Sequence, residues 1–263
     1  MCLITLSWQP GPKPSLVIAA NRDEFYARPA MPVHHWPGAD ILAGKDLQAG
    51  GTWLGVSAAQ ASGQARVRFA ALTNYRDVKS FKPNAPSRGN ITTAFLQGSV
   101  GAADYLQSLA ESASSYNPFN LLVFDGHDLM GFESRHRRAF ALPSGISAVS
   151  NADFNTPWPK LVRLQRDFAQ ALGQMRGQAQ LETKLFDLLA CDDVASDADL
   201  PQTGIALQRE RALSAAFIRT ADYGTRASSV LQISDRLASF TERSFGATGL
   251  ISTAAERLSL GAR

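Results

Sequence analysis

Short runs of β-forming residues open the chain, return in its middle and close it, with two blocks of helical periodicity between them. That segregation constrains the fold more than any other feature, because strands grouped away from helices favour antiparallel sheets over alternating βαβ units. Residues 3–8 (LITLSW) and 15–20 (SLVIAA) flank a Pro-Gly-Pro-Lys-Pro connection that cannot continue a strand, and they read as a hairpin. A Pro-rich loop over 29–40 follows, and 52–58 (TWLGVSA) and 67–74 (VRFAALTN) make a second hairpin. Residues 88–112 carry apolar groups three and four apart and predict helix. Strands return as a meander over 119–126, 129–134, 138–143 and 145–151. The spacing over 156–172 then predicts a helix with Trp158, Leu161, Val162, Gln165, Phe168, Ala169 and Leu172 on one face. A further helix is expected over about 180–190, a polar loop over 191–212, and closing strands at 214–221, 227–234 and 237–245. Without repeats or linkers, this describes one α+β domain over 1–263, two stacked antiparallel sheets between outer helical layers.

Composition narrows the class. Of 263 residues, 45% are hydrophobic and 19% charged, an ordinary globular balance, and the net charge is only +3. The one dense basic patch, Arg135-His136-Arg137-Arg138, sits at an expected hairpin tip, and no recognition motif accompanies it, so nucleic acid is not an expected partner. No run approaches the ~18 apolar residues of a membrane-spanning helix, so no stable membrane insertion is expected. The first residues lack the basic start of a secretory signal. Two cysteines, Cys2 and Cys191, make no disulfide framework. A reducing, cytoplasmic location is the expectation. No feature specifies an oligomeric state.

One of those cysteines stands directly after the initiator methionine. By itself it is a small apolar residue at the start of a strand. If Met1 is removed, however, Cys2 carries both a thiol and an α-amine. Their ordinary pKa values, about 8.5 and about 7.7–8.0, are matched for proton exchange. The amine can then serve as the base that activates the sulfur, with no distant histidine required. The four histidines, His34, His35, His127 and His136, fall in expected loops or at a hairpin tip. A Cys–His dyad through His34 or His35 stays open without any specific mark. The second strand ends in Asn21-Arg22-Asp23-Glu24, a polar cluster that a hairpin would carry towards Cys2. A carboxylate there would orient the amine, and an arginine would favour the thiolate.

The blocks MCLI, NRDE, GGTWLGV, FAALTNYRD, NPFNLLV, SNADFNTPWPK and YGTRASSVL resemble the NRDE family, the transport and Golgi organisation protein 2-like proteins. They run from residue 2 to about residue 231. That family is in turn similar to the N-terminal-nucleophile hydrolases of the choloylglycine hydrolase and penicillin V acylase branch. The resemblance implies a four-layer αββα sandwich. It gives Cys2 the nucleophile's place and Asp23 that of the aspartate bonded to the nucleophile's amine. Asn74 matches an asparagine aimed at the oxyanion, Asn151 one that contacts the amine, and Arg226 more loosely an arginine near the nucleophile. The acylases place their arginine at a different spacing before the aspartate, whereas here Arg22 adjoins Asp23.

Other marked residues have structural explanations beside functional ones. Gly50-Gly51-Thr52-Trp53 is a tight turn leading into a strand, with Trp53 a possible ligand contact. Asn117 suits a turn, Asn155-Thr156-Pro157 a helix start, and Cys191 has no metal-ligand spacing. Arg76-Asp77 is either a surface pair or part of the cleft mouth. No metal site is expected. The catalytic set is therefore Cys2, Asp23, Asn74 and Asn151, supported by Asn21, Arg22, Glu24, Trp53, Arg76 and Arg226. They imply a cysteine amidohydrolase that cleaves a linear amide C–N bond in a small acylated substrate, expected to carry an apolar acyl group, with no cofactor. The alternative is a lipid- or haem-binding carrier on the same fold, in which Cys2, His34 or His35 could ligate haem iron.

Overall fold

A computed structural model describes residues 2–61, 64–234 and 236–260. Its thirteen described strands form two antiparallel sheets, accompanied by five α-helices. The first sheet draws on both ends of the chain: β1 (Cys2–Gln9), β2 (Ser15–Phe25), β10 (Gly145–Val149), β11 (Tyr223–Ser234), β12 (Leu237–Gly246) and β13 (Gly249–Ser259), in the order β10-β1-β2-β11-β12-β13. The second is a sequential meander: β3 (Ala30–His35), β4 (Ile41–Asp46), β5 (Leu54–Ala61), β6 (Gln64–Asn74), β7 (Phe119–Phe124), β8 (Leu129–Glu133) and β9 (Arg138–Ala141).

Alternation along each strand splits the core into separate layers. Ile4, Leu6 and Trp8 of β1 and Leu16, Ile18 and Ala20 of β2 meet Val56, Phe69, Leu122 and Phe124 of the second sheet in a buried cluster between the sheets. The intervening residues Leu3 and Ala19 point the other way, towards Leu161, Leu164 and Phe168 of α3 (Pro159–Gln174) and Leu185, Phe186 and Leu189 of α4 (Gln178–Leu189). On the far side of the second sheet, Ala70, Leu121 and Phe132 pack against Ile91 and Phe95 of α1 (Gly89–Gln97) and Leu106 and Leu109 of α2 (Ala102–Ser112). Two antiparallel sheets with helices packed against them make this an α+β fold, the class that the segregated sequence pattern predicts.

Several local expectations give way. Residues 29–40, expected as a loop, contain β3, and β4 follows at once. Pro32 is tolerated because β3 is an edge strand, where a missing N–H costs no ladder bond. Within the supposed polar loop lies α5 (Leu207–Leu213), and 214–221 forms turns with one bridge, Arg219 to Gly224, in place of a strand. The buried face of α3 is Lys160, Leu161, Leu164, Phe168 and Ala171, whereas Val162 is 49% exposed. β13 was not foreseen at all; half its residues face solvent at a sheet edge, which weakens its apolar signal.

One irregularity matters for the site. Against β2, β11 pairs Thr225 with Asp23 but Ala227 with Arg22, so Arg226 is an extra residue in a β-bulge. A bulge reverses which face each later side chain takes. Thr225 therefore faces the helices and Ala227 the space between the sheets.

Candidate functional site

β1 places Cys2 directly opposite Arg22 of β2. By the same alternation that sends Ile4 into the inter-sheet core, the Cys2 side chain projects between the sheets, where the layer opens into a cleft of about 490 Å³. Cys2 is only 5% exposed. Burial, the largest influence on it, pushes its thiol above the usual range by disfavouring the anion. The cleft lining mixes apolar groups, among them Met31, Trp53, Leu72 and Ile251, with many charged ones: Arg22, Glu24 and Arg28 from β2 and its exit, Lys45 and Asp46 from β4, and Arg88 before α1. Asp46 joins two of the arginines, 3.3 Å from Arg22 Nη2 and 2.7 Å from Arg28 Nε.

Asn74, at the end of β6, lines the same cleft, and its side-chain amide makes no hydrogen bond among the described residues. Its main chain is held from behind. Asn151 Nδ2 donates to the Asn74 carbonyl at 2.8 Å, and the Asn151 carbonyl accepts from the Arg76 N–H at 2.8 Å. Ser150 Oγ donates to the Cys2 carbonyl at 3.1 Å and also approaches Asn151 Oδ1. The segment after β10 thus ties the start of β1 to the end of β6.

Asp23 lies on the opposite side of β2 from the Cys2 side chain, 1% exposed. Its Oδ1 accepts from Thr225 Oγ1 at 2.7 Å, and Tyr223 Oη donates to its carbonyl at 3.0 Å. Burial pushes the Asp23 carboxyl up, opposed first by Lys160.

A family model described as Transport and Golgi organisation 2 matches residues 1–247. The chain belongs to that family. The bovine (Bos taurus) Transport and Golgi organization protein 2 homolog is 33% identical over 268 residues, covering 93% of each chain. The mouse (Mus musculus) homolog is 32% identical with the same coverage. The Drosophila melanogaster protein is 27% identical over 205 residues, 70% of this chain and 69% of its own.

Within this Transport and Golgi organisation 2 chain, the ten expected site residues separate into three groups. Cys2, Arg22, Asp23, Glu24, Trp53, Asn74 and Arg226 line the cleft. Asn151 stands behind it as the bracket described above. Asn21 and Arg76 are elsewhere: Asn21 faces the helices, donating to the Leu189 and Ala216 carbonyls and accepting from Ser228 Oγ, so it ties α4 to the sheet. Arg76 is neither a surface group nor paired with Asp77. It forms a buried 2.7 Å ion pair with Glu210 of α5 and lies over the Trp158 ring. Arg226, released by the bulge, spends its guanidinium on the carbonyls of Phe245, Phe25, Tyr26 and Arg28, which makes it a clamp on the β2 exit.

Two residues escaped sequence reasoning. Lys160, inside the block TPWPK, is 4% exposed, and burial brings its pKa down to about 8, but a lysine in a helical segment signals a solvated face. Arg88 sits at the start of α1 with no acidic partner among the described residues, its Nη1 donating to the Pro118 carbonyl at 3.1 Å. Met1, whose loss would expose the Cys2 amine, lies outside the described residues. His34 and His35 lie on β3 and are not among the cleft's lining residues, and His34 Nδ1 is 2.8 Å from the Pro32 carbonyl. Glu133, His136 and Asp153 come together near the β8–β9 turn, yet Glu133 is already engaged by Arg138 and by the Phe154 N–H.

Proposed function

We propose that the protein is a cysteine amidohydrolase that works by an N-terminal nucleophile after Met1 is removed, on a four-layer αββα sandwich of the N-terminal-nucleophile hydrolase kind. The observation that carries this reading is that Cys2 and Asn74 line the same cleft, with the Asn74 side-chain amide making no hydrogen bond among the described residues. The sulfur attacks the amide carbonyl, and the α-amine of Cys2 takes the thiol proton and returns it to the leaving amine. The Asn74 amide donates to the oxyanion. A thioester forms as the C–N bond breaks, and water then releases the acid and restores the thiol. Asp23, at the other side of β2, holds the amine. The charged groups of the lining suit a substrate that carries polar groups, and Met31, Trp53, Leu72 and Ile251 offer apolar surface for the acyl group expected from the strands.

The test is mass spectrometry of the purified protein. The expected results are a mass without Met1 and, with a panel of small N-acyl amides, a thioester adduct that Cys2→Ala abolishes. A protein that retains Met1, or that forms no adduct with any member of the panel, would overturn the reading. The carrier alternative draws on one observation, the raised pKa of the buried Cys2 thiol, which works against a resting thiolate. It predicts ligand binding in the cleft that survives Cys2→Ala and yields no product. Haem would find the Cys2 sulfur in that cleft but no imidazole along its lining.

A further inference from the structure

We propose that Glu242 is a specificity-determining residue of this cleft: its carboxylate receives a protonated amine of the substrate, at the end remote from the amide that Cys2 attacks. The inference rests on the N-terminal-nucleophile reading above and names a chemical feature of the substrate.

β12 turns Glu242 into the space between the sheets. Phe240, two residues earlier, joins the inter-sheet cluster, while Thr241 faces the helices and donates to Glu182 of α4. The Glu242 side chain lines the cleft and is 3% exposed. One of its oxygens is occupied: Oε1 accepts from the Val33 N–H at 3.1 Å and from Ser244 Oγ at 3.4 Å. A neutral glutamine could make both contacts, so holding β3 does not require an acid. What the acid adds is a second oxygen. Oε2 accepts no hydrogen bond among the described residues and lies towards Gly44 of β4, which also lines the cleft. A Cβ at Gly44 would stand 3.4 Å from Oε2 and 3.2 Å from the Met31 carbonyl. Gly44 has ordinary strand backbone, so its missing side chain leaves room beside Oε2 and relieves no strain.

The charges around the cleft leave Glu242 without a counter-ion. Glu24 and Asp46 are each shared by Arg22 and Arg28. Arg226 is spent on backbone carbonyls, Arg88 donates to the Pro118 carbonyl, and Lys45 lies 4.7 Å over the Trp36 ring. No cation comes within ion-pair distance of Glu242 among the described residues; Arg22 of β2 acts on it only from further off. Its partners in strand register, Ser229 of β11 and Ala254 of β13, are uncharged. A buried carboxylate without a partner is costly, and a strongly perturbed acid in a cleft is a mark of a functional site. A ligand ammonium would supply both the missing charge and a donor for Oε2. A neutral ligand would leave the charge uncompensated.

Strand register sets the separation. Cys2 pairs with Arg22, Arg22 with Ala227 and Ala227 with Ser244, and all four line the cleft. That row crosses three strand intervals, about 14 Å at the usual spacing. Glu242 is the next residue of β12 on the same face. Ala227 and Ser244 are small and leave the floor of the row low. The substrate is therefore elongated, with its amide at one end and its amine at the other.

The experiment is calorimetry on the full-length Cys2→Ala protein at about pH 8, where an amine is protonated and Glu242, with its pKa of about 7, is mostly ionised. The probes are N-acyl amides whose acyl chains, about six to twelve carbons long, end in either an amino or a methyl group. At the best-fitting length the amino-ended amide should bind about 10- to 100-fold more tightly, the worth of a hydrogen bond to a charged group. Adding Glu242→Gln, which keeps the acceptor for Val33, should remove that preference. Equal affinity within the pair at every length, or binding of neither member, would overturn the proposal without any Glu242 variant. A preference that survives Glu242→Gln would overturn it equally. Thioester formation by the wild-type protein is read separately by mass. A Glu242-dependent preference without thioester refutes the hydrolase reading alone, and thioester formation without the preference refutes only the role of Glu242.

Discussion

At the scale of single residues, the site separates groups that would react from groups that hold them in place. Because the Asn74 side chain has no partner to lose among the described residues, Asn74→Ala should leave thermal stability nearly unchanged. It should slow thioester formation about 10²–10³-fold, as loss of one oxyanion donor does, and single-turnover mass spectrometry would measure the rate. A different residue governs stability against pH. Glu242 of β12 lines the cleft, is 3% exposed and accepts from the Val33 N–H at 3.1 Å. Burial raises its pKa from 4.5 to about 7, so the folded state favours the protonated acid. Stability should therefore be highest below about pH 4.5 as far as this group is concerned, and decline as pH rises to about 7. Above that it stays lower by about 3 kcal/mol, the equivalent of the shift. Glu242→Gln keeps an acceptor for Val33 and removes the charge. Its melting temperature should exceed wild type at pH 8, and the difference should shrink towards pH 4.5. A constant difference across that range would contradict the burial account.

At the scale of elements, the loops near the site are held by buried polar ties. The Arg76–Glu210 pair joins the end of β6 to α5, with both side chains at most 5% exposed. Breaking such a pair from one side strands a charge, whereas removing both charges need not. Arg76→Met should cost about 3–5 kcal/mol in urea denaturation, and the double variant Arg76→Met with Glu210→Met should recover most of it. This element-level detail was the least legible in the sequence. The hairpin of β1 and β2, the meander and α3 follow from periodicity and turn residues, because their faces are fully buried on one side. β3 and β13 are edge strands with little burial, and α5 is a two-turn helix in a polar stretch, so none of them carries a strong pattern. Site legibility followed the same logic. Cys2, Asp23 and Asn74 could be expected to meet at one cleft because they lie at the ends of strongly patterned strands. Asn21 and Arg76 were misplaced because polarity at a strand end does not say which face a side chain takes, or which distant helix will meet it.

At the scale of the molecule, the two sheets are not independent bodies. Strands from residues 2–25 and 223–259 complete one sheet around the meander of the other, and the cluster between them draws on both. Separating the sheets would expose that whole interface, so calorimetry should show a single cooperative unfolding transition. Two resolved transitions would mean that the meander folds without its partner. No helix is long and apolar enough to cross a membrane among the described residues.

The extra residue at position 226 acts at every one of these scales. It turns one continuous strand into two differently facing tools, the first lending Thr225 to Asp23, the second lining the cleft opposite Arg22. Trimming the chain by that single position would restore one-to-one pairing with Thr225 still opposite Asp23, and would remove the guanidinium that holds the carbonyls of Phe245, Phe25, Tyr26 and Arg28. Anyone transplanting this site onto another scaffold must therefore copy a miscount in the strand along with the side chains.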